Sequence, residues 1–98
     1  MIVKAEYWIN SDGTFNKYWK IKYGKLHRED GPAIEYFNGI REWFKNGLRH
    51  REDGPAVIWE NGAHEYYLNG KEYTKEDYWK EIEKIRRERK RKKDDFES

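Results

Sequence analysis

The sequence predicts an α+β fold that is mostly β: a short stack of antiparallel β-hairpins in a twisted meander sheet, followed by one C-terminal α-helix. Three observations predict it, namely a recurring seven-residue motif, Asn-Gly pairs between strand-like runs, and a change of hydrophobic period after Thr74. The 98 residues suffice for one small domain. Although 41% of them are charged, five Trp, eight Tyr and four Phe argue against disorder.

The repeat is the clearest pattern in the chain. His27 to Ala33 recurs residue for residue as His50 to Ala56, a spacing of 23. Each unit is expected to be one hairpin, because Asn38-Gly39 and Asn61-Gly62, pairs typical of type I′ turns, each separate two strand-like runs. The predicted repeat domain is residues 1–74, with a degenerate unit at about 14–32 and full units at 33–55 and 56–74.

Strands are predicted wherever aromatic and β-branched residues cluster on either side of these turns. They are Val3 to Ile9, Thr14 to Tyr23, Ala33 to Phe37, Ile40 to Lys45, Ala56 to Glu60 and Ala63 to Leu68, with the first loop at Ser11-Asp12-Gly13. Alternation along the strands then selects the predicted core. Its members are Phe15, Trp19, Ile21, Tyr23, Ile34, Tyr36, Val57 and Trp59.

The repeated motif is predicted to be a structural corner between hairpins. Asp30 is expected to accept a hydrogen bond from a backbone N–H, Gly31 to adopt a positive φ, and Pro32 to fix the entry into the next strand. The predicted corner residues are His27, Asp30, Gly31, Pro32, His50, Asp53, Gly54 and Pro55. The alternative is that each His and Asp form a metal or acid–base pair. A catalytic site is usually built once, and His-x-x-Asp lacks a third ligand or a nucleophile, so the corner is favoured.

The last segment, residues 75–98, is predicted to be a capping helix with a basic arm. Thr74 and Asp77 form a capping-box-like start, and Tyr78, Ile82 and Ile85 fall on one face of a helix from about Lys75 to Lys93. That face would cap the open end of the hairpin stack. The basic arm, Lys84 to Lys93, holds eight basic residues and one acidic residue. It is either a solvated helix end or a docking arm for nucleic acid, an anionic membrane or an acidic protein surface.

Several functional classes are excluded or disfavoured. The chain has no Cys, which excludes disulfides, thiol nucleophiles and Cys-based metal sites, and we expect no cofactor and no metal. With neither a transmembrane run nor a signal-peptide pattern, the protein is expected in the cytoplasm of a cell, an infected host cell included. Glu42 and Glu65 recur with the unit, so a paired-carboxylate hydrolase is the enzymatic alternative. Without an acidic cluster or a nucleophile, the sequence favours a protein that is not an enzyme.

Residues 42–50, Glu-Trp-Phe-Lys-Asn-Gly-Leu-Arg-His, followed by Gly54 and Ala56, resemble the MORN repeat (membrane occupation and recognition nexus). The resemblance covers about residues 14–73 and is nearest to the divergent variant of small bacterial, phage and large-virus proteins. It implies a stack of β-hairpins with an aromatic-lined groove that serves as a protein-binding scaffold and is not itself an enzyme. The Arg-Glu-Asp between His50 and Gly54 departs from the common pattern and puts the lipid-binding associations of the family in doubt.

Two functions follow as hypotheses, and the oligomeric state stays open. In the first, the protein is a small phage- or bacteria-type inhibitor or antitoxin-like protein that blocks a partner protein such as a defence nuclease. In the second, it binds nucleic acid through the basic arm and through rings that stack bases. The rings and cations considered for base stacking are Trp8, Phe37, Tyr73, Lys4, Lys20 and Lys22. The predicted partner-binding residues are Trp8, Phe37, Trp43, Tyr66, Arg86, Arg87, Arg89, Lys90 and Arg91.

Overall fold

One antiparallel meander sheet runs along the molecule and an α-helix packs at its C-terminal end. The computed structural model describes residues 3–21 and 23–97, with side chains up to residue 92. The elements are β1 (Lys4–Ile9), β2 (Phe15–Lys20), β3 (Ile34–Glu35), β4 (Arg41–Glu42), β5 (Phe44–Lys45), β6 (Leu48–Arg49), β7 (Val57–Ile58), β8 (His64–Leu68), β9 (Lys71–Tyr73) and α1 (Lys75–Glu97). The main sheet has the order β1-β2-β3-β4-β7-β8-β9, and β5 pairs with β6. The predicted α+β, mostly β fold is confirmed.

The first hairpin follows the predicted pairing of β1 with β2. Its register joins Lys4 to Lys20 at one end and Ile9 to Phe15 at the other. In the loop between the strands, Gly13, with φ of +87°, donates its N–H to Asn10 O at 3.0 Å. A glycine suits this left-handed position because it has no Cβ to clash with the backbone.

The turns differ from the prediction in a way that changes the repeat. Among the described non-glycine residues only Asn46 and Asn69 have positive φ, at +51° and +50°, so the type I′ turns are Asn46-Gly47 and Asn69-Gly70. Gly39 instead ends a three-residue loop, with φ of +93° and its N–H bonded to Tyr36 O at 3.0 Å. The prediction of a type I′ turn at Asn38-Gly39 is therefore wrong, and the same geometry recurs at Gly62.

Each full unit consequently contains two hairpins where the sequence predicted one. The predicted strand from Ile40 to Lys45 is divided into β4 and β5 at Trp43, whose N–H donates to Ala56 O in the next unit at 2.7 Å. The residue spacing within one unit does not predict this bond, because it joins two different units.

The buried residues form two groups rather than one layer. The central sheet buries Ala33, Ile34, Ala56 and Val57, and a second cluster between β8 and α1 contains Tyr66, Leu68, Tyr78 and Ile82. The predicted core residues Ile34 and Val57 are confirmed, whereas Trp19, Ile21 and Tyr36 are half-buried.

Three predicted core residues are exposed instead. Phe15, Tyr23 and Trp59 have exposed fractions of 56%, 82% and 37%. In β2 the buried residue is Asn16, whose Oδ1 accepts the Phe37 N–H at 3.0 Å. Side chains alternate between the two faces of this strand, and α1 packs against β8 and β9 at the other end of the sheet, so the helix does not cover the face that carries Phe15.

The helix α1 starts as predicted. Thr74 Oγ1 accepts the Asp77 N–H at 3.2 Å and caps the first turn. Tyr78 and Ile82 are buried against β8, and Ile85 packs beside them. The helix ends at Glu97, four residues beyond the predicted end at Lys93.

Candidate protein-binding surfaces

The two copies of the repeated motif make the same hydrogen bonds. The Nδ1 atom of His27 accepts the Asn46 N–H at 2.9 Å, and the Nδ1 atom of His50 accepts the Asn69 N–H at 2.9 Å. Because Nδ1 accepts, the neutral ring carries its proton on Nε2. This atom lies 2.8 Å from Glu29 Oε1 in the first copy and 2.9 Å from Glu52 Oε2 in the second. Each histidine thus fixes a glutamate on one side and the type I′ turn of the following unit on the other.

An arginine forms the centre of each corner. Arg28 Cζ lies 3.7 Å from the centroid of the Trp19 ring, and its Nε donates to Asp30 Oδ1 at 3.1 Å. Its Nη1 also donates to the Pro32 carbonyl at 3.2 Å. The second copy repeats these contacts: Arg51 Cζ lies 3.9 Å from the centroid of the Trp43 ring. Arg51 Nε donates to Asp53 Oδ1 at 2.9 Å, and Nη1 donates to the Pro55 carbonyl at 3.0 Å. The predicted role of the aspartate is corrected, because its carboxylate accepts from the arginine side chain two residues before it.

The corner glycines also differ from their prediction. Neither Gly31 nor Gly54 has a positive φ. A Cβ at Gly31 would lie 2.9 Å from Arg28 Cζ, and one at Gly54 would lie 3.0 Å from Arg51 Cζ. Glycine at these positions therefore leaves room for the arginine side chain, which a Cβ would crowd, and does not serve a left-handed backbone conformation.

At the C-terminal end, α1 takes the place that an arginine has in the earlier corners. Trp19 and Trp43 are covered by arginines, whereas the Tyr66 ring packs on the Tyr78 ring with centroids 4.9 Å apart. The Tyr78 hydroxyl donates to the Arg51 carbonyl and accepts the Gly54 N–H at 3.3 Å. Tyr66, one of the predicted partner-binding residues, is only 8% exposed and packs within the chain against Tyr78.

The basic arm is attached to the second corner by one residue. Arg89 Nη1 and Nη2 donate to Glu52 Oε1 and Oε2 at 2.6 and 3.0 Å, a bidentate pair. Arg89, and to a lesser degree His50, lower the pKa of Glu52 to about 2. Of the predicted partner-binding cations, Arg89 is therefore engaged within the chain. The others, Arg86, Arg87, Lys90 and Arg91, are exposed.

A cleft of about 750 Å³ lies between the two corners and α1, and Arg51, Glu52 and Asp53 of the second corner are part of its lining. Its lining includes Glu29 and Arg28 on the first corner, Trp43 on the sheet, and Ile82 and Ile85 on the helix. The cations Lys45, Arg86 and Arg89 also line it. The cleft therefore joins an apolar floor to charges of both signs.

A second concave surface, which we call the aromatic groove, lies on the open face of the sheet. It encloses about 480 Å³, and its lining residues include Phe15, Lys17, Glu35, Phe37 and Arg41. Phe15 and Phe37 are 56% and 58% exposed. Lys17 Nζ lies 4.8 Å from the Trp19 ring centroid, and no carboxylate of the described residues forms an ion pair with it. The groove thus offers two exposed rings and one cation without an acidic partner in the described chain.

The sequence identifies only part of this groove. Phe37 is among the predicted partner-binding residues, but Phe15 is among the predicted core residues. Tyr7, whose ring packs edge-on to Phe15 at 5.6 Å, shares that open face. Trp8 points to the opposite face, where its ring packs on Tyr18 and Tyr36 at 5.1 and 6.0 Å.

The remaining rings and cations predicted to bind a partner either contact other residues of the chain or lie apart from one another. Trp43 is half-buried beneath Arg51, and Tyr73 is half-buried beside the helix cluster. Lys20 pairs with Glu6 at 3.2 Å, and Lys4 is exposed. Lys22 and the side chain of Lys93 lie outside the described residues. The cations and rings considered for base stacking therefore do not form one described surface.

The recurring glutamates bind donors of their own units. Glu42 is 5% exposed and accepts the Tyr36 hydroxyl at 2.7 Å and Arg49 Nη2 at 2.7 Å. Burial, together with the bond to Glu42, raises the pKa of Tyr36 to about 12. Glu65 accepts the Tyr67 hydroxyl at 3.0 Å and the indole N–H of Trp59. Glu42 thus links Tyr36 to Arg49, and Glu65 links Tyr67 to Trp59.

Two further properties of the described chain bear on its function. Its helix is not long and apolar enough to cross a membrane. Its His, Asp and Glu residues form no group of three or more that could hold a metal ion. No protein-family model matches the sequence, and no match is found among curated proteins or among solved structures.

Proposed function

We propose that this protein is a non-enzymatic protein-binding module whose aromatic groove receives an extended partner segment with an apolar side chain beside a carboxylate. The observation that carries the proposal is the pairing of two more-than-half-exposed rings, Phe15 and Phe37, with the cation of Lys17 in one groove. Exposed rings of this kind are costly in water and dominate binding energy when a partner covers them.

The charges of the groove favour an acidic segment over a basic one. Arg41 Nε lies 3.6 Å from Glu35 Oε1, and Arg28 Nη1 lies 3.7 Å from Glu35 Oε2, so the one groove carboxylate already has two cations. Lys17 is the cation left for a partner among the described groove residues. A partner carboxylate in the groove would be attracted by the charge of Lys17 and would lie near the two rings.

The repeat supports a more specific form of this proposal. The 23-residue unit of paired hairpins and the aromatic groove are the features that a divergent MORN module would have. In this form the protein is a small inhibitor or antitoxin-like protein. It would block a partner such as a defence nuclease by covering part of its surface.

A selection from random displayed peptides tests the groove and does not require an identified partner. The immobilised full-length protein is offered the peptide library, and the selected sequences are compared with those selected by Phe15→Ser/Phe37→Ser. We expect an apolar residue next to Asp or Glu, selected by the wild type and lost with the double variant. Leu48→Ser, which changes an exposed apolar residue outside the groove, is the matched control. If Phe15→Ser/Phe37→Ser still selects the same peptides as the wild type, the proposal is refuted.

Nucleic-acid binding is the second candidate, and the exposed cations Arg86, Arg87, Lys90 and Arg91 favour it. If the arm contacts about six phosphates, log K should fall with log salt at a slope of about −5. Titration of labelled duplex and single strand at two salt concentrations, with and without residues 84–98, measures this slope. Salt-sensitive binding that disappears on truncation would support nucleic acid as the partner.

A further inference from the structure

The repeat places two copies of one histidine–glutamate pair in the same surroundings. In both copies Nδ1 of the histidine accepts a turn N–H at 2.9 Å, and Nε2 contacts the glutamate two residues later. The distances from Nε2 to the carboxylate, 2.8 Å at Glu29 and 2.9 Å at Glu52, are nearly equal. Each histidine therefore orients its glutamate carboxylate in the same way, and each carboxylate keeps oxygen lone pairs that can accept further hydrogen bonds.

One copy already binds a guanidinium group. Glu52 accepts two hydrogen bonds from Arg89, one on each carboxylate oxygen, and its side chain is 30% exposed. This fork geometry is specific to arginine, since a lysine ammonium is a point charge without a second parallel donor.

The other copy is the more accessible one. The Glu29 side chain is 67% exposed, and among the described residues its hydrogen-bond partner is His27. It borders the cleft whose lining includes the half-buried side chains of Trp43 and Ile85, so the aliphatic part of a ligand side chain can contact apolar atoms there.

We propose that Glu29, oriented by His27, is a binding site for an arginine side chain presented by a protein partner. The arginine forms the bidentate pair that Arg89 forms with Glu52, and its methylene chain lies in the cleft between the first corner and α1. The site is distinct from the aromatic groove and does not depend on the function proposed for the groove.

Other charged groups facing the cleft define the required specificity. Lys45 and Arg86 line it and disfavour a densely basic ligand. The other carboxylates of the lining already accept from arginines of the chain: Asp30 from Arg28, Asp53 from Arg51 and Glu52 from Arg89. A single arginine among neutral residues satisfies these conditions better than a polybasic segment.

The test uses two helical alanine-based peptides of about 15 residues that differ only in carrying one arginine or one lysine, each with an isoleucine one turn before it. Binding to the full-length protein is measured by NMR titration, with the His27 ring signals as the local reporter. We expect the arginine peptide to bind at least about fivefold more tightly than the lysine peptide and to shift the His27 signals.

The variants make this result decisive. Glu29→Gln should reduce the affinity for the arginine peptide to that of the lysine peptide, because the amide oxygen is neutral and the NH₂ group repels one arm of the fork. Glu83→Gln, which changes an exposed carboxylate of α1 that does not line the cleft, is the matched control and should bind like the wild type. Equal binding of both peptides, or an unchanged affinity in Glu29→Gln, would overturn the proposal. Circular dichroism confirms that each variant is folded.

Discussion

At the scale of single residues, the repeat supplies pairs of identical side chains in unequal surroundings. His27 is 1% exposed, whereas the His50 side chain is 10% exposed and its bond to Asn69 lies at the surface. Alanine at position 27 leaves a cavity and a turn N–H without its acceptor, while water can replace the ring at position 50.

We therefore expect His27→Ala to lower the free energy of unfolding by about 2–3 kcal/mol and His50→Ala by about 1 kcal/mol. Urea denaturation of both variants measures the difference. Added zinc should change neither value, because both rings act as hydrogen-bonding crosslinks. Equal losses at the two positions would show that burial does not determine the role of the histidine.

The corner glycine leads to a second residue-scale prediction. Gly54→Ala should destabilise the protein by displacing Arg51 from the Trp43 ring, since the added Cβ lies 3.0 Å from Arg51 Cζ. In a double-mutant cycle, Gly54→Ala should cost about 1 kcal/mol less free energy of unfolding when Arg51 is already alanine than when arginine is present. Gly47→Ala, at φ of +83°, is the control whose backbone strain should add to Arg51→Ala without coupling. Additive losses at position 54 would contradict the steric explanation.

At the scale of elements, the contact of α1 with the second corner gives stability a pH dependence. Arg89 lowers the pKa of Glu52 to about 2 from its ordinary 4.5. A carboxylate with a lowered pKa stabilises the folded state fully above its ordinary pKa, and this contribution is lost as the pH falls through the folded-state value. Since Arg89 is 64% exposed, we expect the contribution to be about 1 kcal/mol or less.

Glu52→Gln should accordingly be less stable than the wild type at pH 6, and the difference should vanish as the pH approaches 2. Thermal denaturation over this range measures it. Glu29→Gln is the matched control and should show a smaller difference at pH 6, because no described arginine pairs with Glu29 as Arg89 pairs with Glu52. A difference between wild type and Glu52→Gln that does not change with pH would show that the ion pair does not stabilise the helix contact.

At the scale of the whole molecule, stability should be distributed unevenly along an elongated body of 58 × 32 × 17 Å. The cluster of buried rings lies at the C-terminal end, between β8 and α1, whereas five of the six residues of β1 are exposed. In a body built from successive units, each unit is held mainly by its neighbours, and the end without a cap opens first.

We expect amide hydrogen exchange to be slowest in β8 and the first half of α1, and to become faster along the sheet toward β1. Tyr78→Ala should remove this gradient, because it deletes the ring that caps Tyr66 and the hydroxyl that bonds to the second corner. Mass spectrometry of peptic fragments measures both profiles. Uniform exchange in the wild type would indicate a single cooperative unit.

The sequence by itself determined the period of 23, the strand-rich character, the helix start at Thr74 and the buried helix face of Tyr78 and Ile82. These features follow from local patterns: identical residues at a fixed spacing, a capping side chain and a 3.6-residue period. It also located the hairpins β1-β2, β3-β4 and β7-β8, although the Asn-Gly pairs alone did not distinguish a type I′ turn from a three-residue loop.

Only the tertiary structure decided which face of the sheet stays open, which arginine covers which ring, and which carboxylate receives Arg89. Trp43 and Arg51 meet through a corner that bends the chain back, and Glu52 and Arg89 are 37 residues apart. Neither separation follows a period, so no spacing in the sequence reveals the contact. The physical reason is that burial and pairing depend on what else lies against a surface, and that is settled only when all units and the helix have packed together.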